Sequence, residues 1–394
     1  MHLKTQTQME IKNLKYIAFL AIATMLLSSC AGEKAKPYYD FYIGSYTKHE
    51  SHVEGKGEGI YQIRINMADT TMQRLSTIVG LVNPSYVKLS PDKKTLYAVN
   101  EVTPEDSLGK GKVSVFKVNA NQATKISDME TKGYAPCHIG IDPSGMICVV
   151  SNYIGEKAMV YKIMPDGNLD RVTQLLQMGG MSVNPDRQTA GHLHCSVFTS
   201  DSKYCYIADL GADRIHMYST ILEVANLIPL KKRAFYPITD KGAGPRHMAV
   251  SLDNKYLFCL NELKNTITTY KINGSFGDLE TLNSVSSLPS SYSGANNAAD
   301  IHLSKDGEFL YVSNRGSDDI GAFIVNGDGS LKLIGHFKTM GKTPRNFAIT
   351  SDGMFMLIAN QDSDNLSMFE ILKDGSLVFK KAFPVTTPAC VEEI

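Results

Sequence analysis

The stretch at residues 242–262, GAGPRHMAVSLDNKYLFCLNE, recurs along the chain, and that recurrence constrains the fold more than any other feature. It opens with a Gly/Pro approach, passes through alternating apolar residues at Met248 and Val250, turns at Leu252-Asp253-Asn254, and resumes as a second apolar run over 256–260. The spacing predicts a strand, a tight turn and a strand. Close copies stand at 83–101, 135–153, 192–210, 297–315 and 343–361. After each hairpin comes a third apolar run, such as 113–118 or 320–325, and then a looser fourth. Each unit therefore reads as a four-stranded antiparallel meander.

A meander of this kind, repeated at about 45–55 residues, has two apolar faces that it buries only by stacking on neighbours, as propeller blades do. Six units are complete, and a seventh is divided between the chain ends. Residues 41–46, 59–65 and 75–79 read as second, third and fourth strands without a first. Residues 388–394 match the first-strand opening at 84–89. Pairing the last strand into the first blade closes the ring and removes its open edges. The expected fold is all-β: a seven-bladed β-propeller of four-stranded blades spanning 38–394.

The N-terminal segment reads differently. Lys12 and Lys15 precede an apolar run at 16–27, too short to span a bilayer as a mature helix, which ends in Leu27-Ser28-Ser29-Cys30. That tetrapeptide resembles the bacterial lipobox, which implies a signal peptide over 1–30, lipidation of Cys30 and a polar tether at 31–37. An ordinary signal peptide with an incidental cysteine is the alternative. The expected location is the bacterial cell envelope, exported and lipid-anchored, facing the periplasm or on the outer membrane, with membrane contact only through Cys30.

Forty basic residues balance forty acidic ones, so the chain lacks the basic excess of a nucleic-acid surface. Six further cysteines, at 137, 148, 195, 205, 259 and 390, fall in first or second strands. Stacked sheets lie about 10 Å apart, beyond disulfide reach, so free buried thiols are expected.

In a four-stranded blade, the loop leading into the first strand and the loop leaving the second lie at the same end. Residues there converge on one mouth of the ring. The lead-in pairs are Ser85-Tyr86, Cys137-His138, His194-Cys195, Arg246-His247, Ala299-Asp300, Arg345-Asn346 and Ala389-Cys390. The exit pairs are Asn100-Glu101, Asn152-Tyr153, Asp209-Leu210, Asn261-Glu262, Asn314-Arg315 and Asn360-Gln361. Repeated Asn at the exits has a structural explanation, since Asn ends strands and tolerates turn geometry. The residues that break the repeat carry the chemistry: His194, Arg246, Glu262 and Arg315, with His138, His192, His247, His302, Arg345 and Glu101 around them.

Converging arginines suit a carboxylate or phosphate, because the guanidinium offers paired donors to oxyanions. His and Glu beside them can move a proton near neutral pH. The expected ligand is a small anion. Against this, any one His can be a rim hydrogen-bonder, and Arg345 or His302 can serve in a salt bridge or an inter-blade contact. His192 and His194, two apart on a strand, can face one metal, but no carboxylate companion accompanies them, so neither metal nor cofactor is expected. No Gly-rich phosphate loop and no Gly-x-Ser-x-Gly elbow is present.

The motifs Tyr42-Ile43-Gly44-Ser45-Tyr46-Thr47, Pro136-Cys137-His138, Arg187-Gln188, His192-Leu193-His194, Gly242-Ala243-Gly244-Pro245-Arg246-His247, Ser313-Asn314-Arg315-Gly316 and Pro344-Arg345-Asn346-Phe347 together resemble the bacterial lactonase family of seven-bladed propellers. That family includes cycloisomerase-type 6-phosphogluconolactonases and fungal 3-carboxy-cis,cis-muconate lactonizing enzymes. The resemblance covers essentially the whole chain from about Tyr38. It implies catalytic roles for His194, Arg246, Glu262 and Arg315, matching the His, Arg, Glu, Arg order of the muconate enzymes, and no metal. The chain departs from the family's Pro-His-x-His by placing Gly191 before His192.

The implied activity is hydrolysis of a sugar-acid lactone, with arginines holding the substrate anion and Glu262 or His194 taking a proton from water. His138, His192, His247, Arg345 and Glu101 are the expected substrate contacts. Two alternatives stand beside it: muconate-type lactonization, and a non-catalytic propeller that binds a small anion or a protein partner.

Overall fold

Strand Tyr204–Asp209 shows why the repeat reads as near-continuous apolar runs. Cys205 and Ile207 pack into the cluster shared with the preceding blade, whereas Tyr206 and Ala208 pack into the cluster shared with the following one. Side chains alternate across a strand, so a blade buried on both faces needs apolar residues at every position. The computed structural model describes residues 36–394, apart from 107, 120–121, 172–173, 222–228 and 239. The signal peptide and lipobox at 1–30, and tether residues 31–35, lie outside the described residues.

Residues 37–394 form one unit of seven four-stranded antiparallel sheets. Their first strands are Pro388–Glu393, Val87–Leu89, Tyr134–Ile141, Leu193–Phe198, Pro245–Val250, Asn297–Leu303 and Pro344–Ile349, taken from blade 1 to blade 7. These strands touch one another from blade to blade and so form the inner wall of the ring. Each of the seven blade interfaces holds its own buried apolar cluster.

Closure follows the sequence reading. Pro388–Glu393 pairs with Tyr38–Ser45, which continues to Gly59–Asn66 and Thr71–Val79, so blade 1 takes its innermost strand from the C-terminus. Tyr39, Phe41 and Ile43 of that blade pack against Leu357, Leu366 and Met368 of blade 7, sealing the ring with apolar area as well as hydrogen bonds. The six cysteines at 137, 148, 195, 205, 259 and 390 are buried and free.

One feature of the inner wall was not legible in the repeat. The register of the first strand against the second slips in six blades, at Cys137, His194, Arg246, Arg345, Ala389 and the Ala299-Asp300 pair. A bulge re-aims the extra residue, so two consecutive residues address the channel rather than one. The lead-in residues form an upper tier at the mouth, and Tyr86, His138, Cys195, His247, Asp300, Asn346 and Cys390 form a tier beneath it.

The exit asparagines behave as structural residues. Asn152 donates to the carbonyls of Thr131 and Lys157, Asn314 to the Ser287 carbonyl and the Asp319 carboxylate, and Asn360 to the Thr339 carbonyl and the Ser367 hydroxyl. Each ties its strand end to a neighbouring segment.

Candidate functional site

A cavity of about 670 Å³ opens at the end of the ring where lead-ins and exits meet. Its wall includes the upper-tier residues Cys137, His194, Arg246 and Arg345, with Glu101, Tyr153, Glu262 and Arg315 from second-strand ends. All four residues expected to be catalytic are therefore brought together. A second hollow of about 630 Å³, around Thr95, Met146 and Lys162, is lined without any His, Arg or Glu among the described residues.

Glu262 is the centre of the arrangement and is buried. Arg246 Nε lies 2.9 Å from its Oε2, Arg315 Nη2 forms an ion pair with the same oxygen at 3.1 Å, and Arg187 donates to Oε1 at 2.8 Å. Burial alone would raise this carboxyl, but Arg315, Arg246 and Arg187 outweigh it and hold it at about 2. Burial and the neighbouring arginines bring Arg315 down to about 9, with Glu262 opposing them, so it remains a cation at neutral pH. Burial, reinforced by Arg246, His247, Arg345 and Arg315, pushes His194 well below the ordinary histidine range. At neutral pH the site thus presents an ionised Glu262, several guanidinium cations and a neutral imidazole.

Local structure explains these positions. The backbone N–H of Glu262 donates to the Gly244 carbonyl at 2.7 Å, which docks the exit loop on the lead-in that carries Arg246. Gly244 has φ +69, and a side chain there would meet Leu263 at 2.6 Å, so glycine is required. Asp213 holds the same lead-in from below by accepting the N–H groups of Gly242 and Gly244. Its carboxylate also accepts from Gln188 at 2.7 Å, and Gln188 anchors the loop that presents Arg187. One buried acid therefore fixes the loops of two of the three arginines on Glu262.

Arg187 was not assigned a role from sequence. It lies on the long connection between Gln174–Gln177 and Leu193–Phe198, outside the repeat, and the Arg187-Gln188 motif was the signal that pointed to it. It also donates to the Tyr153 hydroxyl at 3.0 Å.

The five expected substrate contacts divide. Arg345 and Glu101 line the cavity; His138, His192 and His247 are not among its lining residues. His192 stacks on Tyr153 with ring centroids 4.3 Å apart, and its Nδ1 sits 2.6 Å from the Tyr153 carbonyl oxygen, which places it behind the wall. His138 and His247 belong to the tier beneath, where Tyr86, His138 and His247 pack ring against ring. For His138 and His247 the bulge accounts for this, because it turns Cys137 and Arg246 to the cavity and the next residue away from it.

Arg345 differs from the other cavity arginines. Its guanidinium lies 5.1 Å from the centroid of the Tyr46 ring and makes no hydrogen bond or ion pair with the described residues. Tyr46 in turn donates to Glu101 at 2.9 Å, and His52, on the hairpin of His49–Glu50 and Val53–Glu54, reaches the Tyr46 hydroxyl at 3.4 Å. His52 also lines the cavity, on an insertion that has no counterpart in the repeat.

The family described as "Lactonase, 7-bladed beta-propeller" matches residues 40–393. A 6-phosphogluconolactonase of Formosa agariphila is 35% identical over 314 residues, covering 78% of this chain and 85% of that protein. A 6-phosphogluconolactonase of Bacillus subtilis is 30% identical over 312 residues, covering 78% and 84%. The solved periplasmic gluconolactonase of Pseudomonas aeruginosa superposes with a TM-score of 0.81 at 30% identity, covering 91% of this chain and 99% of that one. Sequence motifs, blade number and closure, family match and relatives coincide over the same residues, and the chain belongs to the lactonase family of seven-bladed β-propellers.

Proposed function

We propose that this protein hydrolyses a sugar-acid lactone in the mouth cavity. The observation that carries this reading is the convergence of Arg187, Arg246 and Arg315 on the ionised Glu262, beside the neutral His194 and the unpaired Arg345. Arg345 receives the anionic or most electron-rich end of the substrate. Arg246 and Arg315 face the oxygen that gains charge as water adds to the lactone carbonyl. The C–O bond of the ring then breaks, giving a hydroxy acid.

His194 is the better proton acceptor of the two candidates. Both Glu262 oxygens are occupied by guanidinium groups, and a carboxyl held at about 2 is a weak base. His194 is likewise held below its ordinary range, by burial and by Arg246, His247, Arg345 and Arg315, but an anion bound among those arginines would raise its basicity, whereas Glu262 stays locked between guanidinium groups. Glu262 instead holds the arginines in place and offsets their mutual repulsion.

The test is acid release from 6-phosphogluconolactone and from gluconolactone by the purified protein, corrected for spontaneous hydrolysis. Arg345→Met is expected to raise KM about tenfold with kcat little changed, and more for the phosphorylated substrate than for the other. An equal effect on both substrates would remove Arg345 as the phosphate reader.

The segment before the propeller supports export and lipid anchoring at Cys30, through its resemblance to a lipobox and the periplasmic location named for the Pseudomonas aeruginosa relative. A phosphorylated sugar lactone is a cytoplasmic metabolite, so an envelope location favours an unphosphorylated sugar-acid lactone as the physiological substrate. Cells fed a labelled fatty acid are expected to label the native chain and leave Cys30→Ser unlabelled; equal labelling of the two would sink the anchor.

A further inference from the structure

Glu262 and its three arginines take up the arc of the mouth built from blades 4 to 6 and the connection before them. The other arc carries a second carboxylate, which that cluster leaves untouched. Glu101 ends the second strand of blade 2, lines the cavity and is only 7% exposed. Its backbone is pinned on both sides: its N–H donates to the Asn83 carbonyl at 3.0 Å, and Asn83 Nδ2 donates to the Glu101 carbonyl at 3.2 Å. Its side chain is held by one oxygen. Tyr46 donates to Oε2 at 2.9 Å, and Ser85 donates to the same Oε2. Each hydroxyl has a single proton, so both are committed to that oxygen. Oε1 makes no hydrogen bond or ion pair with the described residues.

Arg345 is its counterpart in the cavity wall. The guanidinium lies over the ring of Tyr46, whose hydroxyl holds Glu101, yet arginine and glutamate make no ion pair with each other. A charge that is buried and unpaired is costly, and here one of each sign lines the same cavity. A ligand that satisfies both must carry an electron-rich end for Arg345 and hydrogen-bond donors for Glu101.

We infer that Glu101 is a specificity-determining residue that reads hydroxyl groups of the substrate, with Oε1 accepting from hydroxyls on adjacent carbons while Arg345 holds the electron-rich end. The inference rests on the reading of the mouth as a lactone site, and it names the class of lactone as a polyol. An ionised carboxylate offers about four acceptor positions and no donor. Two are taken at Oε2, which leaves Oε1 free to accept two O–H groups. A ligand carboxylate in the same place would meet like charge, so Glu101 also selects against polycarboxylic substrates such as muconates.

The alternative is that Glu101 only balances the charge of Arg345. A counterion of that kind gains most in contact, but Tyr46 and Ser85 hold the carboxylate in a fixed orientation without such a contact. Charge balance also has no means of telling a hydroxylated ligand from a bare one. A site built to bond a hydroxyl rejects the analogue that lacks it, because its own polar group is then left unpaired.

The experiment measures binding of gluconate and of hexanoate by calorimetry to the native protein, Glu101→Gln and Ser85→Ala, beside kcat and KM on gluconolactone. The two acids share a six-carbon chain and one carboxylate and differ in the hydroxyls. The native protein is expected to bind gluconate at least about tenfold more tightly than hexanoate. In Glu101→Gln that preference should fall about tenfold, with KM for gluconolactone about tenfold higher and kcat little changed. Ser85→Ala keeps the charge and loosens its orientation, so a smaller loss of preference is expected; it also carries the test if Glu101→Gln fails to fold. An equal loss of affinity for both acids in Glu101→Gln would reduce Glu101 to charge balance, and a native protein without preference for gluconate would overturn the inference outright. Turnover separates this from the lactonase reading. A protein that prefers gluconate through Glu101 but opens no lactone upholds the hydroxyl reader alone, whereas gluconolactone hydrolysis with the gluconate preference intact in Glu101→Gln overturns the hydroxyl reader alone.

Discussion

Glu262→Gln is expected to lower kcat/KM by about 10²–10³-fold and to destabilise the fold by about 2 kcal/mol. The change is nearly isosteric, so its effect isolates charge. In the native site one carboxylate accepts from Arg187, pairs with Arg315 at 3.1 Å and sits 2.9 Å from Arg246 Nε. An amide keeps one oxygen and turns the other acceptor into a donor pointed at a guanidinium. Three cations are left to repel one another around a neutral group. Removing one partner of a buried ion pair commonly costs more than this, but the Arg187 side chain is 36% exposed and Arg315 is partly exposed, so water screens part of the repulsion. Circular dichroism should show native secondary structure at room temperature, with the melting temperature lower by a few degrees. A variant with native kcat/KM would show that the carboxylate does not organise the site.

Arg246→Ala is expected to reduce kcat/KM by about 10²–10³-fold as well, with a smaller loss of stability than Glu262→Gln. The asymmetry follows from what remains. Without Arg246, Glu262 still has Arg187 and Arg315, so the carboxyl stays ionised and paired. What disappears is a buried cation whose terminal nitrogen also donates to the Ala299 carbonyl of the next blade. Arg246→Lys tests the geometry: a single ammonium cannot address Glu262 and Ala299 together, so lysine is expected to recover no more than about tenfold of the loss. Full recovery by lysine would show that charge alone is needed.

The fold was legible because its cause is repetitive. Each blade must present apolar residues on both faces and turn at fixed places, and the missing first strand of blade 1 was visible as an unpaired opening at residues 388–394. The convergence of His194, Arg246, Glu262 and Arg315 followed from strand order alone. Two things were hidden. The bulge that separates Arg246 from His247, and Cys137 from His138, depends on register between two strands, and a one-residue slip leaves no mark in an apolar pattern. Hence His138 and His247, expected at the mouth, lie in the channel. Arg187 and His52 come from insertions whose course is set by particular hydrogen bonds, Gln188 to Asp213 for Arg187, rather than by periodicity.

The most direct measurement is a pH-stat record of acid release from gluconolactone and 6-phosphogluconolactone by the native protein, Glu262→Gln and Arg246→Ala, each confirmed as folded. The expected result is release well above the spontaneous rate on at least one lactone, lost in both variants. Native-like release from both variants would place the chemistry outside the mouth cavity. No release by the native protein on either lactone, with saturable binding of the ring-opened acid by calorimetry, would make the cavity a binding site rather than an active site.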